Sequence, residues 1–305
     1  MELRHLRYFV QVATDLHFAR AAAHLGISQP PLSQQIRLLE EELGVLLLER
    51  TSRRVALTPA GALFLEAARR TLEEADRAVL IARRAAQGEL GDLRIGFNAS
   101  APFIPQVAAA IHAFRQHYPD VQLSLTEVAG PAQIEALVDG LLDLGFLRSA
   151  ARPVLAQGLT ATLILSERLV VAMRPDHPLS NRAGLRLSDL SDHSLVVYAS
   201  DRSGGFTEAL FALMRNAGVE PLVAQSVREV STLLGLVAAG VGITIVAESL
   251  SALQSAGLVY VPLLDDRATS AMWLVHADTP SLSGEHFLKI VRTSGSAQTD
   301  AHPAA

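Results

Sequence analysis

Apolar residues recur along this chain with two different periods, and the change of period divides it. At the start, Leu3, Leu6, Phe9, Val10 and Ala13 fall at helical spacing. A second helix is predicted from about Phe18 to Leu25, closed by Gly26, a residue free to take positive φ. Ser28 suits the N-cap of a third helix, and Pro30 and Pro31 fall in its first turn, where a missing N–H costs little. Its inner stripe is Leu32, Ile36, Leu39 and Leu43, and Gly44 ends it. Two short apolar runs, Val45–Leu48 and Val55–Leu57, flank the segment ERTSRR and predict a hairpin with a basic tip. Thr58 then caps a helix with Pro59 in first position and no breaker before Gly88. About 30 helical residues span roughly 45 Å. Phe64, Ala68, Leu72, Ala75, Val79, Ala82 and Ala86 make a heptad-like seam of small and medium residues. Such a seam suits pairing with a second copy of the helix, and the competing reading packs the helix on its own domain.

After Gly88 the period shortens and strands alternate with helices. Leu93–Phe97, a helix from about Phe103, Val121–Glu127, a helix from about Pro131 and Leu144–Leu147 form one set. A second runs through Arg168–Met173, Leu195–Tyr198, a helix over Phe206–Ala217, Pro221–Ser226, a helix over Val230–Ala239 and Ile243–Val246. Val259–Leu263, Met272–His276 and a helix near Ser283–Arg292 follow. This rhythm predicts an α/β region with a mostly parallel sheet covered by helices, and two similar sets predict two lobes. The tail SGSAQTDAHPAA is small and polar and reads as disordered.

Charge sharpens this division. Residues 1–88 carry 12 arginines against 10 acidic side chains, a net of +2, while residues 89–305 carry a net of −7. Lys289 is the only lysine. With no cysteine there is no disulfide, thiolate nucleophile or zinc finger. The histidines are scattered without HExxH-type spacing, and Gly240 and Gly242 do not make a GxGxxG loop, so neither a metal, a cofactor nor catalysis is expected. Charges interrupt the apolar pattern of the N-terminus, which excludes a signal peptide. No apolar run reaches the ~18 residues of a membrane span. The expectation is a soluble cytoplasmic protein with no membrane partner.

The first 58 residues thus give helix, helix, turn, helix and a basic hairpin, a winged helix-turn-helix. The third helix presents Gln29, Ser33, Gln34 and Arg37 opposite its apolar stripe. Gln and Arg make paired hydrogen bonds to adenine and guanine edges. Pro30 and Pro31 hold the helix N-terminus, which faces phosphate well. Arg50, Arg53 and Arg54 suit a wing on the DNA backbone. Glu40, Glu41 and Glu42 lie at the far end and should point away from DNA.

The stretch AAAHLGISQPPLSQQIRLLEEELGVLLLERTSRRVALTPAG resembles the N-terminal domain of LysR-type transcriptional regulators. Farther on, REVSTLLGLVAAGVGITIVAESL resembles that family's regulatory domain. RIGFNAS, ALVDGLLDLGFLR and LVYVPLLD look most like the branch answering to muconate, benzoate and related aromatic-degradation products. The resemblance implies a DNA-binding domain over 1–58, a dimerising linker helix over 59–88 and a two-lobed, periplasmic-binding-protein-like effector domain over 89–295. Its lobes would be about 90–164 plus 268–295, and about 165–267, with 296–305 a tail. Phe64, Leu72, Ala75 and Val79 would lie in the dimer seam. A homodimer assembling to a homotetramer, binding inverted-repeat double-stranded DNA and contacting RNA polymerase as an activator, is implied too. The alternative is a solute-binding sensor without promoter control.

Effectors of such domains bind between lobes, at strand C-termini and helix N-termini. Ser100, Gly130, Pro131, Gln133, Arg148, Gly204 and Phe206 are the candidates, with Ser203 beside them, for a small anionic effector, aromatic or dicarboxylic. Ser100 reads equally as an N-cap, Arg148 as the partner of an acid and Phe206 as core. Muconate-responsive relatives have Thr where this chain has Gly130 and Pro where it has Gly204, which argues against muconate itself; they place an Arg at a secondary benzoate pocket where this chain has Leu165, which argues against that pocket. Many relatives also have Arg in place of Gln34.

Overall fold

The computed structural model describes residues 1–51, 54–149, 151–199, 205–253 and 257–296. Arg53, Ser203, Gly204 and residues 297–305 of the expected tail lie outside the described residues. The chain forms two compact units, Met1–Ala86 and Gln87–Ala305.

The first unit contains α1 (Leu3–Asp15), α2 (Phe18–His24), α3 (Gln29–Leu43), a hairpin of β1 (Leu48–Arg50) and β2 (Val55–Leu57), and α4 (Pro59–Ala86). Phe9 from α1 and Leu32, Ile36 and Leu39 from α3 are fully buried at its centre. Each fully buried aliphatic side chain of this kind contributes roughly 1.5–3 kcal/mol. The turn into the wing needs Gly44 at φ 69°, where a side chain would be strained. Hairpin pairing sets Leu48 against Leu57 and Arg50 against Val55. The first strand starts later than its apolar run, because Val45 and Leu46 are exposed in the approach to it.

The long helix corrects part of the seam. Phe64 packs on Phe9 with ring centroids 5.2 Å apart, and Leu72 is partly buried against the same core. These two residues, expected between subunits, therefore hold α4 on its own domain. Ala75 is half-buried. Beyond it the helix carries exposed Val79, Leu80 and Ile81, at 50%, 56% and 49%.

The second unit opens with β3 (Gly91–Phe97), α5 (Pro105–His117), β4 (Val121–Glu127), α6 (Gly130–Val138) and β5 (Leu144–Ser149). The strands β5, β3 and β4 are neighbours and parallel. Then comes β6 (Leu159–Met173), a single strand of 15 residues. It is followed by β7 (Ser194–Tyr198), α7 (Phe206–Asn216), β8 (Leu222–Val227), α8 (Val230–Ala238), β9 (Thr244–Ala247), β10 (Val259–Pro262), β11 (Thr269–Ala277) and α9 (Leu282–Ser296). Ser296, where a disordered tail was expected to open, is the last residue of α9.

The sheet is mixed, not mostly parallel. Its order is β10-β6-β11-β5-β3-β4, with β9 also on β6, and β11 is antiparallel to both β5 and β6. The reason is the path of the chain. The strand β6 leaves the first lobe, β11 returns to it, and the two lie side by side in opposite directions. Between Leu159 and Arg168, β6 pairs with β11, and from Leu169 onward it pairs with β9 and β10. One lobe centres on Phe114, Phe146 and Phe287, and the other on Val171, Met173, Leu195 and Ile245. No helix among the described residues is long and apolar enough to cross a membrane.

Candidate functional site

Two surfaces carry chemistry, one in each unit. In the first, the face of α3 opposite its buried stripe is open. Gln29, Pro30, Pro31, Gln34 and Arg37 are exposed and Ser33 is half-buried. Pro30, Ser33, Gln34 and Arg37 therefore share one face, with Gln29 and Pro31 at its edges, as the helical period requires. At the hairpin tip Arg54 is exposed, its N–H donating to Thr51 Oγ1 at 3.0 Å.

Arg50 and Glu40 are placed differently from their sequence reading. Glu40 is buried at 5% exposure, and its Oε1 accepts the backbone N–H groups of Leu47 at 2.9 Å and Leu48 at 3.1 Å. Its other oxygen is ion-paired with Arg50, whose guanidinium lies 5.0 Å over the Phe18 ring. Arg50 is thus the counter-ion that lets α3 grip the hairpin, where a contact with DNA backbone was expected. The far side of the same turn is fixed by Thr58, whose Oγ1 donates to the Leu46 carbonyl at 2.8 Å and accepts the Gly61 N–H at 2.9 Å. A Cβ on Gly61 would stand 1.9 Å from the Leu47 carbonyl oxygen. This explains physically why LTPAG follows the wing. Asp15 ties α1 to α2 by accepting from Gln11 at 2.8 Å and meeting His24 at 2.9 Å; these bonds hold its carboxyl below the usual range.

In the second unit a cavity of about 300 Å³ opens between the lobes. Roughly 150 Å³ already admits benzene, so a small organic molecule fits. The wall from the first lobe is Asn98, Ala99, Ser100, Glu127, Val128, Ala129 and Arg148; Tyr198, Phe206, Arg228, Glu229, Val246, Ala247 and Leu250 supply the other. Of the sequence candidates, Ser100, Arg148 and Phe206 meet here. Gly130, Pro131 and Gln133 do not line it. Gly130 and Pro131 open α6, while Gln133 is fully buried behind the sheet, its Nε2 donating to the carbonyls of Val128 at 2.8 Å and Phe146 at 3.2 Å. A polar side chain at 0% exposure serves as a strut for backbone.

Arg148 is the centre of the floor. Its Nε donates to Ser100 Oγ at 2.8 Å, its Nη1 to Glu167 at 2.7 Å and Ser270 Oγ at 3.3 Å, and its Nη2 to Ser249 Oγ at 3.2 Å. Glu167 in turn accepts the Ser249 N–H at 2.6 Å and its hydroxyl at 3.0 Å. Both charged side chains are only 7% exposed. The network ties β5, β6 and β11 to the 3-10 turn Glu248–Leu253 where the lobes join. Ser100 accordingly serves Arg148; its side chain makes no cap bond to the turn that follows it. Burial pushes the Tyr198 phenol up, so it stays protonated. Sequence reading missed Glu167, Ser249 and Asn98. Among the described residues no group of three His, Cys, Asp or Glu could hold a metal.

Comparison with known proteins adds the family context. Residues 3–62 match the model of the bacterial regulatory helix-turn-helix protein, lysR family, and residues 86–294 match the LysR substrate binding domain. The chain is 44% identical over 285 residues to the HTH-type transcriptional regulator YnfL of Escherichia coli (strain K12), covering 92% of this chain and 95% of that protein. It is 42% identical over 279 residues to the HTH-type transcriptional regulator BenM of Acinetobacter baylyi (strain ATCC 33305 / BD413 / ADP1), covering 90% and 89%. The full-length CbnR structure, complexed with its target DNA, superposes with a TM-score of 0.83 at 31% identity, covering 97% of this chain and 100% of that one. The BenM effector binding domain with its effector benzoate gives a TM-score of 0.62 at 32% identity, covering 70% and 96%.

Proposed function

The chain belongs to the LysR family of bacterial transcriptional regulators, and on that premise we propose that it binds double-stranded DNA through α3 and the wing and changes transcription when a small organic effector enters the interlobe cavity. The observation that carries the reading is the polar face of α3, with Gln29, Ser33, Gln34 and Arg37 exposed or half-buried beside a basic hairpin, while Leu32, Ile36 and Leu39 are buried. The family supplies the rest: binding to inverted repeats as a homodimer that assembles to a homotetramer, activation through RNA polymerase, and action in the cytoplasm. The functional division is 1–58 for DNA, 59–88 for pairing and 89–295 for the effector. Exposed Val79, Leu80 and Ile81 supply an apolar stretch for that pairing. The likeness to the BenM effector binding domain with benzoate favours a small aromatic effector.

Fluorescence anisotropy on the promoter fragment of the protein's own gene tests the reading across a salt series. Gln29→Ala should relax base preference, while Arg54→Ala should weaken binding on all sequences and reduce the salt slope by about one. Binding that is absent at low salt, or indifferent to both substitutions, would overturn it.

A further inference from the structure

The charges around the cavity do not suit a dicarboxylate. The one cation at its floor, Arg148, is matched by Glu167 at 2.7 Å, and its Nε, Nη1 and Nη2 all donate within the protein. Apart from that pair, the charged lining residues among those described are Arg228, Glu127 and Glu229, one cation against two anions. From these described residues an entering anion meets no net positive charge, and a dianion meets twice the repulsion. The wall does hold an unmet neutral group. Asn98, at the C-terminal end of β3, lines the cavity, and its Oδ1 is buried without a hydrogen-bond partner. A buried polar atom of this kind gains from a ligand that supplies its bond. The apolar part of the wall, Val128, Phe206, Val246 and Leu250, asks for a compact apolar body.

We propose, resting on the reading of this cavity as the effector site, that its effector is uncharged: a small apolar or aromatic body with a carboxamide-like head, offering an N–H donor beside a carbonyl, that pairs with Asn98. Such a head serves either orientation of the Asn98 amide, whereas a carboxylate serves only one. Asn98 is then the residue that sets specificity, and Glu167 is the residue that keeps Arg148 from recruiting an acid.

The test uses full-length protein and ligand-observed NMR with two matched pairs, benzamide with benzoate and salicylamide with salicylate. The amides should bind about tenfold tighter than the acids. Asn98→Leu should erase the amide preference, and Glu167→Gln, which frees the charge of Arg148 without changing shape, should reverse it. Ala129→Trp, a substitution at the half-buried rim, should block all four probes. Acids preferred in the wild type and blocked by Ala129→Trp would leave the cavity reading standing and overturn the uncharged effector. Equal preference before and after Asn98→Leu would overturn it too. Binding that persists in Ala129→Trp, or no binding by any probe, would overturn the cavity reading and this proposal together.

Discussion

Replacing Glu40 with alanine should loosen the wing while leaving the helices folded. The carboxylate accepts two backbone N–H groups, from Leu47 and Leu48, which are 1% and 2% exposed. An unsatisfied buried donor costs roughly 1–3 kcal/mol, so two cost about 3 kcal/mol with partial relaxation. The loss of the Arg50 pair adds little, because Arg50 keeps 30% of its side chain exposed and can rehydrate. At 1.4 kcal/mol per tenfold, the opening equilibrium of the turn rises about a hundredfold. Hydrogen exchange resolved to Leu47 and Leu48 reads this directly, because each amide exchanges through its local opening. Glu40→Gln keeps an acceptor but loses the charge-assisted bonds, and should cost roughly 1 kcal/mol, about fivefold. Amides of Phe9 and Ile36, deep in the helical core, serve as the control. Exchange at Leu47 and Leu48 no faster in Glu40→Ala than in the wild type would refute the reasoning; acceleration shared equally by the control amides would show a global loss of stability instead of a loosened wing.

Three further outcomes follow from the packing. Gly61→Ala should cost about 1–3 kcal/mol in chemical unfolding of the first unit, since its Cβ would stand 1.9 Å from the Leu47 carbonyl; an unchanged midpoint would show that α4 can retreat freely. Arg148→Ala strands a buried Glu167 and should lose roughly 3–5 kcal/mol, followed by fluorescence of Trp273, the only tryptophan of the chain, while Arg148→Met with Glu167→Leu should recover most of it; a double variant as weak as the single would contradict this. Burial and then the charge of His193, at 4.7 Å between ring centroids, hold the His177 imidazole below its ordinary value near 6.5, with Asp176 opposing. A lowered histidine means that the folded state binds the proton less well. The stabilisation is therefore complete above about pH 6.5 and is lost as pH falls below it, and His177→Gln should flatten the melting temperature over that range; an equal slope in both proteins would exclude His177 as its source.

What was legible in the sequence was whatever rests on local periodicity. The stripe Leu32–Ile36–Leu39 gives α3 and its outer polar face together, because one helix has only two sides. Val121–Glu127 is the same strand in both readings, since Val121, Leu123 and Leu125 alternate with polar residues at the period of a strand. The first half of β6 lies outside the strand Arg168–Met173 read from the sequence, although the alternation of Leu159, Ala161 and Leu163 with threonines is itself a strand signal. The site was harder to read than the fold. Arg148 is visible as a charge after a strand, but its partners lie 19, 48, 101 and 122 residues away, and no local pattern reports them. Glu40 and Arg50 read as two solvent-facing charges for the same reason: only the closed hairpin brings them together. In Phe64 and Leu72 the heptad spacing is real, but an intramolecular partner, α1, occupies that face first.

The strand β6 has a consequence for how this protein can change over generations. Leu159–Met173 supplies ladder bonds to β11 in one lobe and to β9 and β10 in the other. A recombination break within it would leave each half of the strand facing a neighbour selected for a different partner. Shuffling between relatives can therefore exchange the DNA-reading unit at Ala86, where the two compact units meet in sequence, far more readily than it can exchange one sensor lobe alone. New operator specificities are open to wholesale inheritance, whereas new effector specificities must be reached residue by residue around a cavity whose two walls are inherited as one.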